Sequence, residues 1–212
     1  MENSLKKRSQ DNLNKDPKAL FIEKDFNFGK ITKQNIEQVI ALDKTLFPIE
    51  YDENFYKRLY GPETESIVVI TKQTNEIIGV ATAKISTKID DWWYPRIDQG
   101  YIMTLGVRED HRRKGIGSYL VSKISTHLFI QKKVESVTLH VKADNKAAIN
   151  LYKKIGYEES KKLPDFYEIN NEKHDAILMN YRYSTFLKNN PKFKQNQKQQ
   201  KILIKEKTLK CF

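Results

Sequence analysis

Arg112, Arg113 and Lys114 run directly into Gly115-Ile116-Gly117, and from Ser118 an apolar helical pattern begins. Two glycines so spaced let the main chain approach a ligand with no Cβ in the way. A turn from strand to helix also aims successive N–H groups, and the positive end of a helix dipole, at one point. This is chemistry for holding an anion, and the two arginines add charge beside it. The spacing is not that of a dinucleotide fingerprint, which needs G-x-G-x-x-G after the first strand of a doubly wound sheet. Nor do a few basic residues between two buried-looking elements make the exposed stripe that grips nucleic acid. Taken alone, the pattern fits an ordinary glycine turn as well as a phosphate cradle.

The elements that must position this turn can be read along the chain. "DFNFGKI" alternates as a first strand. Thr32 is the expected N-cap of a helix in which Ile36, Val39, Ile40 and Phe47 recur, and Pro48 stops it. "DENFYKRLYG" reads as a short second helix. "SIVVIT" and "IIGVATAKIST" are strands joined by the polar turn "KQTNE". "IDDWWYPRIDQG" has no clear period and reads as a long loop. "YIMTLGV" is the strand before the cradle, and "SYLVSKISTHLFIQ" the amphipathic helix after it. "VESVTLHV" is a strand, "NKAAINLYKKIG" a helix stopped by Gly156, and "YEESKKLPDFYEI" and "AILMNYRY" two closing strands. The order β-α-α-β-β-β-α-β-α-β-β predicts an α+β domain around a central mixed sheet.

At 212 residues the chain accommodates one ordinary domain with tails. Its net charge of +11 resembles a nucleic-acid signal until it is located. Residues 185–212 hold eight lysines against one glutamate, and residues 1–20 hold five basic and three acidic groups, so the body is nearly neutral. The expected division is a disordered tail over 1–20, a folded domain over 21–184 and a basic, flexible tail over 185–212. In that tail the most structure expected is a weak amphipathic helix near 198–212. The single cysteine, Cys211, leaves no intrachain disulfide or Cys-based metal site. No apolar run is long enough to span a bilayer, and the first residues lack a signal peptide's apolar core. A cytoplasmic location is the expectation, with peripheral attachment to the cytosolic face of an organelle membrane as the alternative.

Arg112-x-x-Gly115-x-Gly117 at a strand-to-helix turn resembles the acetyl-CoA pyrophosphate loop of the GNAT acetyltransferases. The second half of that signature stands downstream as Asn145-x-x-Ala148-x-x-x-Tyr152-x-x-x-Gly156-Tyr157. The two halves together are far more specific than either alone. "LFPIEYDENFYKRLYG", "YIMTLGV", "RRKGIGS" and "LHVKADNKAAINLYKKIGY" further resemble the protein N-terminal acetyltransferases of the NatE and NatF types, over about residues 26–183. The resemblance implies the GNAT acyl-CoA N-acyltransferase fold, a central, mostly antiparallel mixed sheet flanked by helices. It implies acetyl transfer from acetyl-CoA, with no metal, to the α-amine of chains beginning with Met and a hydrophobic residue. An α-amine with a pKa of about 7.7–8.0 costs only about 1 kcal/mol to deprotonate near pH 7, whereas a lysine costs about 4–5 kcal/mol, so a modest base suffices.

By the same resemblance Tyr101 and His140 are the bases, and neighbouring parallel strands would bring them to the splayed centre of the sheet. Tyr152 lies near the coenzyme sulfur, and Asn145 both caps its helix and meets the pantetheine arm. Leu105, Val107, Arg112, Arg113, Gly115, Ile116, Gly117 and Ser118 complete the cosubstrate site. Phe47, Pro48 and Ile49 form an apolar pocket for the Met side chain, with Met103 beside it. Tyr51 holds the peptide backbone, and Phe166 with Tyr167 closes the other wall, although Phe166 lacks the hydroxyl of the family's tyrosine. Read without the resemblance, Tyr101 is a core tyrosine, His140 a half-buried strand histidine, Tyr152 a packing aromatic and the loop residues ordinary hydrophobics. His111, His127 and His174 have no comparable placement. The short connection from Tyr167 to Ile177 favours the NatE type, and "LFPIEY" the NatF type. The partners implied are nascent or mature protein N-termini. An auxiliary subunit or ribosome contact, and anionic membrane or RNA contact through the basic tail, stand as further expectations. The other readings left open are a lysine or small-amine acetyltransferase, a GNAT-like binding subunit, and a nucleic-acid binder.

Overall fold

The computed structural model describes residues 22–88 and 97–195. The expected N-terminal tail over 1–20, the tryptophans of the expected loop and the segment 196–212 lie outside these residues. The described elements are β1 (Phe26–Gly29), α1 (Ile36–Leu46), α2 (Glu53–Leu59), β2 (Thr64–Thr71), β3 (Ile77–Lys88) and β4 (Ile97–Val107). After a 3₁₀ turn at Glu109–His111 come α3 (Ile116–Gln131), β5 (Ser136–Lys142), α4 (Lys146–Ile155), β6 (Glu158–Ile169), β7 (Glu172–Arg182) and α5 (Tyr183–Asn189).

The strands form one seven-stranded sheet in the order β1-β2-β3-β4-β5-β7-β6. Every pairing is antiparallel except that of β4 with β5, which is parallel. That parallel pairing is brief: Gln99, Gly100 and Tyr101 face Ser136, Val137 and Thr138, and beyond them the strands part. Each half of the sheet is otherwise held on its outer side, β4 by β3 along its whole length and β5 by β7. The sheet is therefore continuous at one end of the β4–β5 pair and open at the other.

Two apolar layers cover it. On one face Ile116, Leu120, Val121, Ile124 and Leu128 of α3 bury themselves against Ile78, Ala81, Ile102 and Val137. Their spacing is that of a helix with one wide apolar face. On the other face Val39 and Leu42 of α1 and Leu59 of α2 pack on Val68 and Val80. The start of α2 is fixed by Asp52, whose Oδ1 accepts from the Phe55 N–H at 2.6 Å.

Several expectations need correction. Asn35, not Thr32, stands at the N-cap of α1, and its Oδ1 accepts from the Thr32 N–H at 2.8 Å. The 3.6 period alone cannot separate a capping residue from one that braces the cap. Phe47 is the C-cap of α1 rather than a helical residue. Residues 97–100, expected in a loop, are strand, because pairing with β3 and β5 overrides their polar composition. The helix after the cradle begins at Ile116, two positions before Ser118. The folded body also continues beyond 184. Phe186 of α5 is only 3% exposed, Phe193 packs on the same core, and residues 191–195 are helical. Burying one such aromatic is worth about 1.5–3 kcal/mol, which is enough to hold a short helix whose composition is otherwise that of a tail.

Candidate functional site

The parting of β4 and β5 opens a cavity of about 990 Å³ between the two halves of the sheet. One end is built mainly from backbone. Gly115 caps α3 at φ 85°, a left-handed conformation that only glycine adopts without strain, and Arg113, two residues earlier, has φ 61°. Among the described residues no side chain caps this helix. The first N–H groups of α3, which have no partner within the helix, stand where Gly115, Gly117 and Ser118 line the cavity. Arg112 braces the loop by donating from Nε to the Val107 carbonyl at 3.0 Å. Uncapped N–H donors, a helix dipole and two arginines make a fit for a phosphate group, and the groove running from there along β4 and α4 suits a long ligand.

The other end is built from side chains. Leu46, Phe47, Pro48, Ile49 and Tyr51 come from the end of α1 and the loop after it, and Tyr167 and Ile169 come from β6. Tyr51 stacks on Phe55 with ring centroids 4.2 Å apart and meets Phe47 edge-on at 6.2 Å. Gly106 lets α1 come this close to β4: a Cβ there would stand 2.5 Å from Leu46 Cδ1 and 3.3 Å from Phe47 Cζ. Behind this wall lies Asp43 of α1, which is 1% exposed and has no hydrogen-bond partner for either oxygen among the described residues. Burial pushes its carboxyl up to about 7. Burial first, and then the Asp43 charge, push the Tyr51 hydroxyl up to about 12.

Between the two ends, the Tyr101 hydroxyl and His140 Nδ1 lie 2.9 Å apart, one from each parting strand. Burial lowers the His140 pKa, so the imidazole is neutral at pH 7, and burial raises that of Tyr101. Of the pair, His140 is thus the ready proton acceptor, and Tyr101 holds its proton. Where Nδ1–H donates to the Tyr101 oxygen, His140 keeps Nε2 as its open lone pair and Tyr101 can donate onward. Tyr152 of α4 is nearly buried, and burial pushes its hydroxyl up to about 12, which makes it a proton donor rather than a base. Asn145 accepts from the Ala148 N–H at 3.1 Å, capping α4, and also lines the cavity.

Seventeen of the nineteen candidate residues line this one cavity; the exceptions are Ile116, whose side chain is 1% exposed in the core, and Phe166. Phe166 lies instead against His140, with ring centroids 4.3 Å apart. The sequence reasoning missed Leu139, Val141 and Lys142 on β5 and Leu151 on α4, which line the cavity too. Their signal was positional: each is a near neighbour of a residue already singled out. None of the other three histidines lines the cavity, and His127 pairs with Glu65 at 2.7 Å.

Residues 36–157 match the acetyltransferase (GNAT) family. The chain is 30% identical over 170 residues to the histone acetyltransferase MCC1 of Arabidopsis thaliana, a match that covers 73% of this chain and 69% of that protein. Its fold superposes on Arabidopsis thaliana NAA60, solved in complex with a bisubstrate analogue, with a TM-score of 0.69 at 28% identity, covering 74% of this chain and 97% of that one. It also superposes on Arabidopsis thaliana Naa50, solved with the bisubstrate analogue CoA-Ac-MVNAL, with a TM-score of 0.62 at 26% identity, covering 75% of this chain and 99% of that one.

Proposed function

This chain belongs to the acetyltransferase (GNAT) family, and from that premise we propose that it is a protein Nα-acetyltransferase acting on Met-starting N-termini with acetyl-CoA. The observation that carries this reading is the Tyr101–His140 pair, 2.9 Å apart between a phosphate-type cradle and an apolar aromatic wall. The cradle would hold the pyrophosphate of the cosubstrate, and Asn145 and Leu105 its pantetheine arm. Phe47, Pro48, Ile49 and Met103 would receive the Met side chain, and Tyr51 and Tyr167 would fix the peptide backbone.

Acetyl-CoA supplies the activated acetyl group, and the chain's residues manage the protons. His140, directly or through the Tyr101 hydroxyl, takes the proton that the α-amine sheds as its nitrogen bonds to the acetyl carbonyl carbon. Tyr152 returns a proton to the sulfur as the C–S bond opens. Because an α-amine titrates near pH 8, a neutral imidazole is base enough.

A second reading, acetylation of lysine side chains, draws support from the name of the MCC1 relative. Acetyl transfer to two peptides separates them, one beginning Met-Leu and one N-terminally blocked with an internal lysine. Turnover on the first alone is expected, reduced about a thousandfold by Tyr101→Phe combined with His140→Ala. Turnover confined to the blocked peptide would establish the second reading.

A further inference from the structure

Phe166 is 44% exposed, a placement that costs apolar surface and yet puts its ring flat on the imidazole of His140, at 4.3 Å and an interplanar angle of 22°. The backbone of β6 is bent to bring it there. Its register with β7 moves from Leu163↔Ala176 to Tyr167↔His174, so Pro164, Asp165 and Phe166 stand opposite Asp175 alone. Asp165 takes a left-handed φ of 52° within this bulge, a conformation that aspartate enters more readily than most residues. Asp175 pins the bulge by accepting from the Asp165 N–H at 3.1 Å. Tyr167 then stands perpendicular to Phe166, with centroids 4.9 Å apart, and braces it from the cavity side.

His140 is thus held twice, at Nδ1 by Tyr101 and on one ring face by Phe166. Its Nε2 has no hydrogen-bond partner among the described residues.

We propose, resting on the Nα-acetyltransferase reading, that Phe166 is the positioning residue of His140. By covering one face of the imidazole while Tyr101 holds Nδ1, it fixes the ring plane, shields the ring from water and leaves Nε2 as the lone pair offered to the incoming amine. The burial that lowers the His140 pKa agrees with such a cover. Of the titratable groups, Tyr101 of β4 meets the imidazole directly, and Tyr167 of β6 and Tyr152 of α4 line the same cavity. Burial raises the pKa of all three phenols, so they are neutral near pH 7, and burial is what lowers that of His140.

The test follows His140 by its imidazole NMR signals, assigned by loss in His140→Ala, through a pH titration of the full chain. The variants are Phe166→Ala, Phe166→Leu and Phe166→Tyr, and each is paired with the pH profile of kcat/KM. In Phe166→Ala the His140 pKa is expected to rise toward the ordinary histidine value and the acidic limb of kcat/KM to move up with it. Activity below pH 7 then falls about tenfold further than at pH 8, with the KM for acetyl-CoA unchanged. Phe166→Leu keeps an apolar cover without a ring, so it shifts the pKa less, and Phe166→Tyr restores both observables. Should Phe166→Ala not fold, Phe166→Leu against Phe166→Tyr decides alone. An unmoved His140 titration with a pH-independent loss of kcat/KM overturns the proposal and leaves Phe166 as a packing residue only. The NMR titration needs no turnover, so an inactive wild-type enzyme would refute the acetyltransferase reading without obscuring this result.

Discussion

The two ends of the cavity are made of different materials. At the cradle end, recognition is written in backbone: a left-handed Gly115, an uncapped helix start and the Arg112 brace. At the opposite end it is written in side chains, with Phe47, Tyr51 and Tyr167 against a helix that covers a buried carboxylate. Backbone donors recognise any phosphate and tolerate change in the surrounding side chains. An aromatic wall recognises shape. One end therefore fixes what is shared by all acyl-CoA chemistry, and the other selects the acceptor.

The largest test of this contrast is Asp43→Asn, beneath the side-chain wall. The Asp43 carboxyl is raised to about 7 from its ordinary 3.8, so the folded state binds this proton more tightly than the unfolded state. Stability from this group is full below about pH 4 and is lost as pH rises to about 7. Asp43→Asn should therefore stabilise the fold by up to about 4 kcal/mol at pH 8 and by little at pH 4, read by chemical denaturation at both pH values. An equal effect at both would show that the Asp43 charge carries no such penalty.

Gly115→Val comes next. Forcing a β-branched residue to φ 85° costs about 2 kcal/mol, so the KM for acetyl-CoA should rise roughly thirtyfold while the peptide KM holds. Phe47→Ala should give the mirror image at the smallest scale, a peptide KM about tenfold higher with the calorimetric Kd for acetyl-CoA unchanged. If either variant moved both constants together, the division into two independent ends would fail.

The cradle end was the more legible in sequence, because glycine spacing and a helix start are local signals. Tyr101 and His140, and their meeting between neighbouring parallel strands, were expected from the family resemblance rather than from any local pattern, and the 2.9 Å contact bears that expectation out. The same long-range pairing made residues 97–100 a strand, and packing of Phe186 and Phe193 made a lysine-rich stretch part of the body. Phe166 was legible as a departure from a tyrosine, but its stacking on His140 was not, since it depends on a bulge that slips the β6 register.

The early parting of β4 and β5 places a sheet edge inside the molecule. Past Tyr101 the side of β4 that faces β5 has no strand partner among the described residues, and residues there line the cavity. An edge at the rim of a protein invites another chain to add to it; here the edge faces a cavity instead. A ligand lying in that gap can serve as a suture, joining two half-sheets that otherwise meet over a short stretch. Occupancy then becomes a mechanical property, read as slower amide exchange on both lips of the gap.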